Sequence, residues 1–343
     1  MYRSLLALLL IAAPAWADDD PSWAKIPYTP MWNGKDLAGW VNVNCHPSTF
    51  YVKDDMIRTS GHPTGFLRTA KQHENFIAEF DWMHQEKVKV GNSGFFVWAD
   101  PIPAVGTGYT RGIEVQVLVN LTYRNKKGEK TATSQGDIFS IWGARCTPER
   151  PHPDGAERCL PSEDRTHGGG EWNHYRVVAN DGTIRLEVNG KEVSSVHKCT
   201  PRKGYLALES EGAECWFKNL KIKELPSTNP DPKDVAGVDK GYKNLWYGLD
   251  FTNWKLEKGD EGHWRARDWI LAYDGKSTAA DKNLWTDKSY GNCELIVDWR
   301  LPGPAKKRDL PTLDKNGDIV KSGDGFPVTK EVMDSGNGGI FLR

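Results

Sequence analysis

The chain has 343 residues, and 45 Lys and Arg face 46 Asp and Glu for a formal net charge of −1. That balance gives no electrostatic case for nucleic acid or an anionic membrane as a partner. The length allows two domains.

At the N-terminus, Arg3, the apolar stretch 5–13 and Ala15-Trp16-Ala17 have the order of a secretion signal covering residues 1–17. The apolar stretch is too short to span a bilayer, and no later segment reaches that length. The expected mature chain starts near Asp18 and is secreted or periplasmic. Six cysteines in an exported chain suggest disulfides. Cys146 and Cys159 flank a Pro-rich loop and form the best local pair. Cys45 and Cys199 are a second candidate pair, and Cys215 and Cys293 remain over. The absence of a C-x-x-C motif speaks against a structural zinc site.

The next elements read as strands. Phe76, Ala78, Phe80 and Trp82 fall on one face, and Ile113, Val115, Val117 and Val119 alternate with Glu114 and Gln116. Residues 175–179 turn at Asn180-Asp181-Gly182 into 184–188, which turn again at Asn189-Gly190. Asp-Gly and Asn-Gly between alternating runs are strong hairpin signals. Residues 204–208 and 215–222 read as a further pair across Glu211-Gly212. With no convincing amphipathic helix, the pattern predicts an all-β, antiparallel sandwich.

The chain also repeats itself. Trp32-Asn33-Gly34-Lys35-Asp36-Leu37-Ala38-Gly39-Trp40 is similar to Trp246-Tyr247-Gly248-Leu249-Asp250-Phe251-Thr252-Asn253-Trp254, and residues 50–57 align with 264–271 at the same spacing. Residues 76–82 match 293–299, and Gly91-Asn92-Ser93-Gly94 matches Gly336-Asn337-Gly338-Gly339. So long a period indicates domain duplication rather than a solenoid. The expected layout is a complete domain at 26–226, a Pro-containing linker at 227–240, and a partial second copy at 241–343. Asp314-Lys315-Asn316-Gly317-Asp318 begins like a calcium loop, but Gly325 occupies the position of the required Glu, so a plain turn is expected.

One ordered set of motifs resembles a known family. It runs through Asn33-Gly34-Lys35-Asp36-Leu37, Gly91-Asn92-Ser93-Gly94-Phe95-Phe96, Ile113-Glu114-Val115-Gln116-Val117 and Glu171-Trp172-Asn173. It closes with Gly204-Tyr205-Leu206-Ala207-Leu208-Glu209 and Phe217-Lys218-Asn219-Leu220-Lys221-Ile222. The set is similar to the 3-keto-disaccharide hydrolase domain family. The resemblance implies a concanavalin-A-like jelly-roll β-sandwich and exported proteins acting on 3-keto-glycosides. Two segments depart from the common pattern. Val97-Trp98-Ala99 stands where Phe-Leu-Arg is frequent, and Leu208-Glu209-Ser210-Glu211-Gly212 stands where Leu-Gln-Asp-His-Gly is frequent. Both are expected on the concave, ligand-facing side.

A 3-keto group acidifies C2–H, so such chemistry needs a base at C2, a donor for the enolate oxygen and an acid at the leaving group. It does not need carboxylates paired across C1. Glu114 is the leading catalytic candidate, since Glu114 and Gln116 share the face opposite the apolar Ile113, Val115 and Val117. The competing interpretation of that face is a solvated exterior. Arg111 could pair with Glu114 or donate to a keto oxygen, and Asp137 could be a second acid or a turn cap. Gln116, Glu209, Trp98 as a stacking platform and His167 in a covering loop are the substrate-binding candidates. No metal and no cofactor are expected. The expected partner is a sugar or keto-sugar glycoside. The alternative function is a non-catalytic, lectin-like carbohydrate-binding module on the same fold. A groove that brings Glu114 near a second acid would favour catalysis over binding.

Overall fold

The computed structural model describes residues 20–85, 90–120, 135–153, 157–267, 269–301 and 303–342. The expected signal at 1–17 lies outside the described residues. There are two compact units, one ending at Trp285 and one beginning at Thr286.

The two large sheets of the first unit are built on sixteen described strands. They are β1 (Thr29–Pro30), β2 (Trp40–Val43), β3 (Phe50–Lys53), β4 (Met56–Thr59), β5 (Gly65–Thr69), β6 (Phe76–His84), β7 (Val90–Ala99) and β8 (Gly112–Asn120). Then follow β9 (Ile138–Ile141), β10 (Arg145–Pro148), β11 (Arg158–Cys159), β12 (Asn173–Asn180), β13 (Thr183–Val188), β14 (Lys191–Thr200), β15 (Tyr205–Ser210) and β16 (Cys215–Glu224). One antiparallel sheet has the order β10-β14-β13-β12-β6-β16-β4-β3, with β1 added on β16. The second has the order β11-β9-β8-β7-β15-β5-β2. Among the described residues there is no α-helix.

Period-two alternation decides what each strand buries. Phe76, Ala78, Phe80 and Trp82 on β6 face Phe95 and Val97 on β7 and Ile113, Val115, Val117 and Val119 on β8 in one core between the sheets. The Phe80 ring lies 4.8 Å from Phe95, 5.7 Å from Tyr175 and 6.3 Å from Phe217, so it touches both layers. Each such buried side chain contributes about 1.5–3 kcal/mol. The Tyr175 hydroxyl on β12 donates to the Gln116 carbonyl on β8 at 2.8 Å, a polar stitch through the core. The result is the antiparallel jelly-roll β-sandwich that the alternation and the motif set predict.

Both hairpin signals form. Asp181 (φ 46°) and Gly182 (φ 73°) connect β12 to β13, and Asn189 (φ 47°) and Gly190 (φ 84°) connect β13 to β14. Two left-handed residues in succession give the type I′ twist that strands require. The third expected pair does not form. β15 pairs with β5 and β7, whereas β16 pairs with β4 and β6, so Glu211-Gly212 crosses between the sheets.

The expected Cys146–Cys159 and Cys45–Cys199 disulfides are absent, and all six cysteines are free thiols. Cys146 lies on β10 and Cys159 on β11, strands of different sheets. Their sulphurs turn to the carbonyls of Glu157 (3.6 Å) and Leu160 (3.5 Å). Burial pushes the Cys146 thiol up to about 11, a protonated and unreactive state.

The segment 227–240 is held to the sandwich rather than hanging free. The buried Arg68 guanidinium bonds Asp239 at 2.6 Å, and the Gln72 amide donates to the carbonyls of Ala236 and Gly237. Beyond it, local structure repeats along with sequence. Trp264↔Tyr273 are the end pair of a hairpin, as Phe50↔Thr59 are in β3–β4. The Trp254 indole donates to Leu245 O at 2.8 Å, as the Trp40 indole donates to Met31 O at 3.0 Å. Within the first unit the chain after residue 240 meets the sandwich at His46, whose ring is 3.4 Å from Asp250 and edge-on to Tyr247. The second unit contains a hairpin of Lys306–Pro311 with Thr329–Asp334. In it, Asp314 Oδ1 caps the backbone N–H groups of Asn316 and Asp318 in a tight turn.

Candidate functional site

The outer face of the second sheet carries the polar residues. On β8, Val115 points into the core while Glu114 and Gln116 point the other way, buried to 5% and 3% exposure. On β15, Leu206 and Leu208 fill the core and Glu209 points outward beside them, at 1% exposure. β7 lies between these two strands.

Gly94 on β7 makes the site possible. A Cβ at Gly94 would stand 2.7 Å from Glu114 Oε1 and 3.0 Å from its Cδ and Cγ. Without that atom, the Glu114 side chain crosses β7 and reaches the carboxylates of β15. One oxygen each from Glu114, Glu209 and Glu211 lies within 4.8 Å of the others.

These groups open onto a groove of about 310 Å³ lined by Glu114, Gln116, Asn92 and Glu211, the side chains of Tyr109, Phe139, Ile141 and Trp142, and Arg158. The Gln116 amide donates to Asn92 Oδ1, and the Asn92 amide donates to Glu211. The Tyr109 hydroxyl donates to the other Glu211 oxygen at 2.7 Å. Arg158 bonds Asp137 at 2.5 Å and stacks on Phe139 at 4.2 Å. The aromatic edge is formed by Trp142, half-exposed and stacked on Tyr109 at 6.3 Å with the rings 11° from parallel. Trp142 (φ 51°) and Gly143 (φ 96°) form the turn after β9. A bulky residue in the left-handed region is costly, and such strain gathers at functional surfaces.

Electrostatics follow from burial. Desolvation pushes the Glu114 carboxyl well above the usual carboxylate range; Glu211 and Asp137 add to the rise, and Arg158 opposes it. Desolvation also raises Glu209, with the Glu114 and Glu211 charges adding. Burial, then Glu211, raises the Tyr109 phenol, so it stays protonated and remains a donor.

The structure brings Glu114, Gln116, Glu209 and Asp137 together. Asp137 is fully buried, and its carbonyl accepts from Gln116 N at 2.9 Å, so it sits behind the groove and orients Arg158. Three other candidates are elsewhere. Trp98 is not a platform: it is fully buried in the core, with its indole donating to Glu74 O at 2.7 Å. A bulge sets Ala99 opposite Tyr205 and Phe96 opposite Ala207, and Trp98 takes φ 56°, so the alternation that put it beside Phe96 is broken there. Arg111 does not pair with Glu114, because Asp100 engages both its arms at 2.8 and 3.0 Å. His167 is outside the groove, its ring on the Trp172 carbonyl at 3.0 Å and its N–H on Asn173 at 2.7 Å.

Sequence reasoning put the segment holding Glu211 on the ligand-facing side without giving Glu211 a role, and it missed Arg158, Asn92, Tyr109, Phe139 and Trp142. Period two does signal Glu211, two residues after Glu209. Tyr109 and Trp142 come from loops and Arg158 from the two-residue β11, where periodicity carries no signal.

A curated 3-keto-disaccharide hydrolase of Bacteroides thetaiotaomicron is 21% identical over 247 aligned residues, covering 58% of this chain and 78% of the relative. A candidate glycosyl hydrolase of Parabacteroides distasonis is 23% identical with a TM-score of 0.45, covering 60% of this chain and 98% of that one. The carbohydrate-binding module CBM66 of Bacillus subtilis is 12% identical with a TM-score of 0.39, covering 54% and 95%. The model of the 3-keto-alpha-glucoside-1,2-lyase-like domain matches residues 27–223, and this carbohydrate-active, hydrolase-like chain belongs to that family.

Proposed function

We propose that the groove cleaves 3-keto-glycosides by elimination and rehydration. Glu114 removes the proton from C2, and the bonding pair moves into an enolate on the C3 oxygen. The enolate reforms the C3 carbonyl, a C1–C2 double bond appears and the C1–O bond breaks. Water then adds at C1 and a proton returns to C2, so the sum is hydrolysis. Arg158 supplies positive charge for the enolate oxygen. Tyr109, kept protonated by its surroundings, donates to the leaving oxygen. The Trp142–Tyr109 face receives the C–H face of the sugar.

The observation that carries this reading is the convergence of Glu114 with Glu209 and Glu211 in a groove that also holds Arg158. A binding module would be served by neutral amides and aromatics alone, and buried carboxyls with raised pKa values are the usual mark of proton-transfer sites. Glu114→Gln preserves shape and removes the base. The full chain is assayed on aryl 3-keto-glucosides beside the unoxidised glucosides. The expected result is turnover of the keto substrate alone, lost in Glu114→Gln with binding retained. Unchanged turnover in the variant would refute the assignment.

Export to the periplasm or medium is part of the same proposal, supported by residues 1–17. The repeated hairpin and indole bonds support reading the region from 241 onward as a partial second copy of the same domain.

A further inference from the structure

The outer face of the first sheet carries a groove of its own, of about 520 Å³ against about 310 Å³ for the one on the second sheet. Val177, Ala179 and Ile184 point into the core, so Val178, Asn180, Thr183 and Arg185 point outward. On that face Val178 stands opposite Arg185, and Asn180 stands opposite Thr183. Val178 forms an apolar floor at 2% exposure. Trp23 walls one side, and its turn, Pro21–Lys25, is pinned to the sheet. The Trp23 side chain packs on the cluster of Ile77, Val178 and Leu225, and Lys223 Nζ donates to the Trp23 carbonyl at 3.3 Å. Asp181, in the β12–β13 turn, also lines the groove, with its N–H held by Asn75 Oδ1 at 2.9 Å.

The charges around this groove already have partners, Arg185 with Glu192 at 3.3 Å and Asp181 with Arg202. An anionic ligand would have to compete with Glu192, and a cationic one with Arg202. The neutral polar groups are in the opposite condition. Among the described residues, none bonds the Trp23 indole N–H, the Asn180 amide or the Thr183 hydroxyl. An apolar floor beside an aromatic wall suits the C–H face of a sugar ring, and the indole, amide and hydroxyl offer both donors and acceptors to its hydroxyls. We propose that this groove is a second carbohydrate site, which binds a neutral oligosaccharide. The core separates it from Glu114, which faces outward on the other sheet, so the sugar held here is not the one that reacts. It tethers the chain to a glycan and raises the effective concentration of linked substrate at the other groove. The inference does not rest on the catalytic reading, because binding here needs neither a keto group nor turnover.

The test titrates the full chain by calorimetry with maltohexaose, cellohexaose and laminarihexaose, and with hexagalacturonate as the anionic comparison. A thermal melt of each variant is read beside the titration. The expected result is binding of at least one neutral hexasaccharide and none of hexagalacturonate. Trp23→Ala weakens that binding about tenfold or more, and Asn180→Ala about fivefold. Trp142→Ala, in the groove of the other sheet, leaves it unchanged. If Trp23→Ala melts without cooperativity, Asn180→Ala alone decides, since its side chain packs on no core residue. Four results would overturn the proposal: no binding of any neutral hexasaccharide, preferred binding of hexagalacturonate, neutral binding that survives both Trp23→Ala and Asn180→Ala, or binding lost in Trp142→Ala. The last would place the sugar in the other groove.

Discussion

Gly94→Ala separates the site from the fold. Gly94 lies inside β7 and outside the left-handed region, so its backbone accepts alanine. The unfolded-state effect of this change alone stabilises by about 0.4–1 kcal/mol. Against that, the new Cβ stands 2.7 Å from Glu114 Oε1, where ordinary contact begins at 3.4 Å. The carboxylate is the far end of a flexible side chain and retreats by about 0.7–1 Å. Fold stability therefore changes by no more than about 1 kcal/mol, or about 2–4 °C in melting temperature. A displacement near 1 Å at a reacting group costs about 100-fold in rate, equivalent to about 2.7 kcal/mol. The assay is kcat/KM of the full chain on an aryl 3-keto-glucoside, with a melt of the same preparation. Retention of kcat/KM within about threefold would show that Glu114 does not need to cross β7. A collapse in melting temperature would show that Gly94 serves packing rather than the site.

Glu211 raises the Glu114 carboxyl and Arg158 lowers it, so the two variants move the acid limb of the pH–rate profile in opposite directions. Glu211→Gln shifts it to lower pH and Arg158→Gln to higher pH; equal shifts of the same sign would contradict the electrostatic picture. The raised Glu209 carboxyl makes the folded chain hold a proton that the unfolded chain releases. That contribution to stability is full below the ordinary carboxylate range and is lost as pH rises through the raised value. Glu209→Gln is therefore more stable than wild type at mildly alkaline pH by about 1–3 kcal/mol, with the gain gone near about pH 4; urea melts at both pH values check this. Trp142→Ala removes the stacking face and raises KM several-fold, about 1 kcal/mol, with kcat nearly kept; a pure kcat loss would place Trp142 elsewhere in the mechanism.

Much of the sandwich was legible because strands write their burial at every second residue. Ile113, Val115 and Val117 against Glu114 and Gln116 located both the core and the groove face, and Asp-Gly and Asn-Gly located two turns. The same rule failed where a strand departed from it. The β7 bulge rotated Trp98 inward, a change that depends on its pairing with β15 and has no local mark. Glu211-Gly212 has the composition of a hairpin turn, yet the chain there passes between sheets, and this placed Glu211 in the site instead of at an edge. Arg111 and His167 carried plausible chemistry, but nearer partners, Asp100 and Trp172, engage them. Arg158, Tyr109 and Trp142 were invisible because convergence of loops and a short edge strand is a tertiary property.

The most direct test of the account is proton exchange at C2. The full chain is incubated in D2O with an aryl 3-keto-glucoside and followed by NMR beside the unoxidised glucoside. The account predicts deuterium at C2 of the released 3-keto sugar, none in the Glu114→Gln reaction, and no cleavage of the unoxidised glucoside. Cleavage of both substrates without deuterium at C2 would contradict it, because direct displacement at C1 needs no C2 proton transfer.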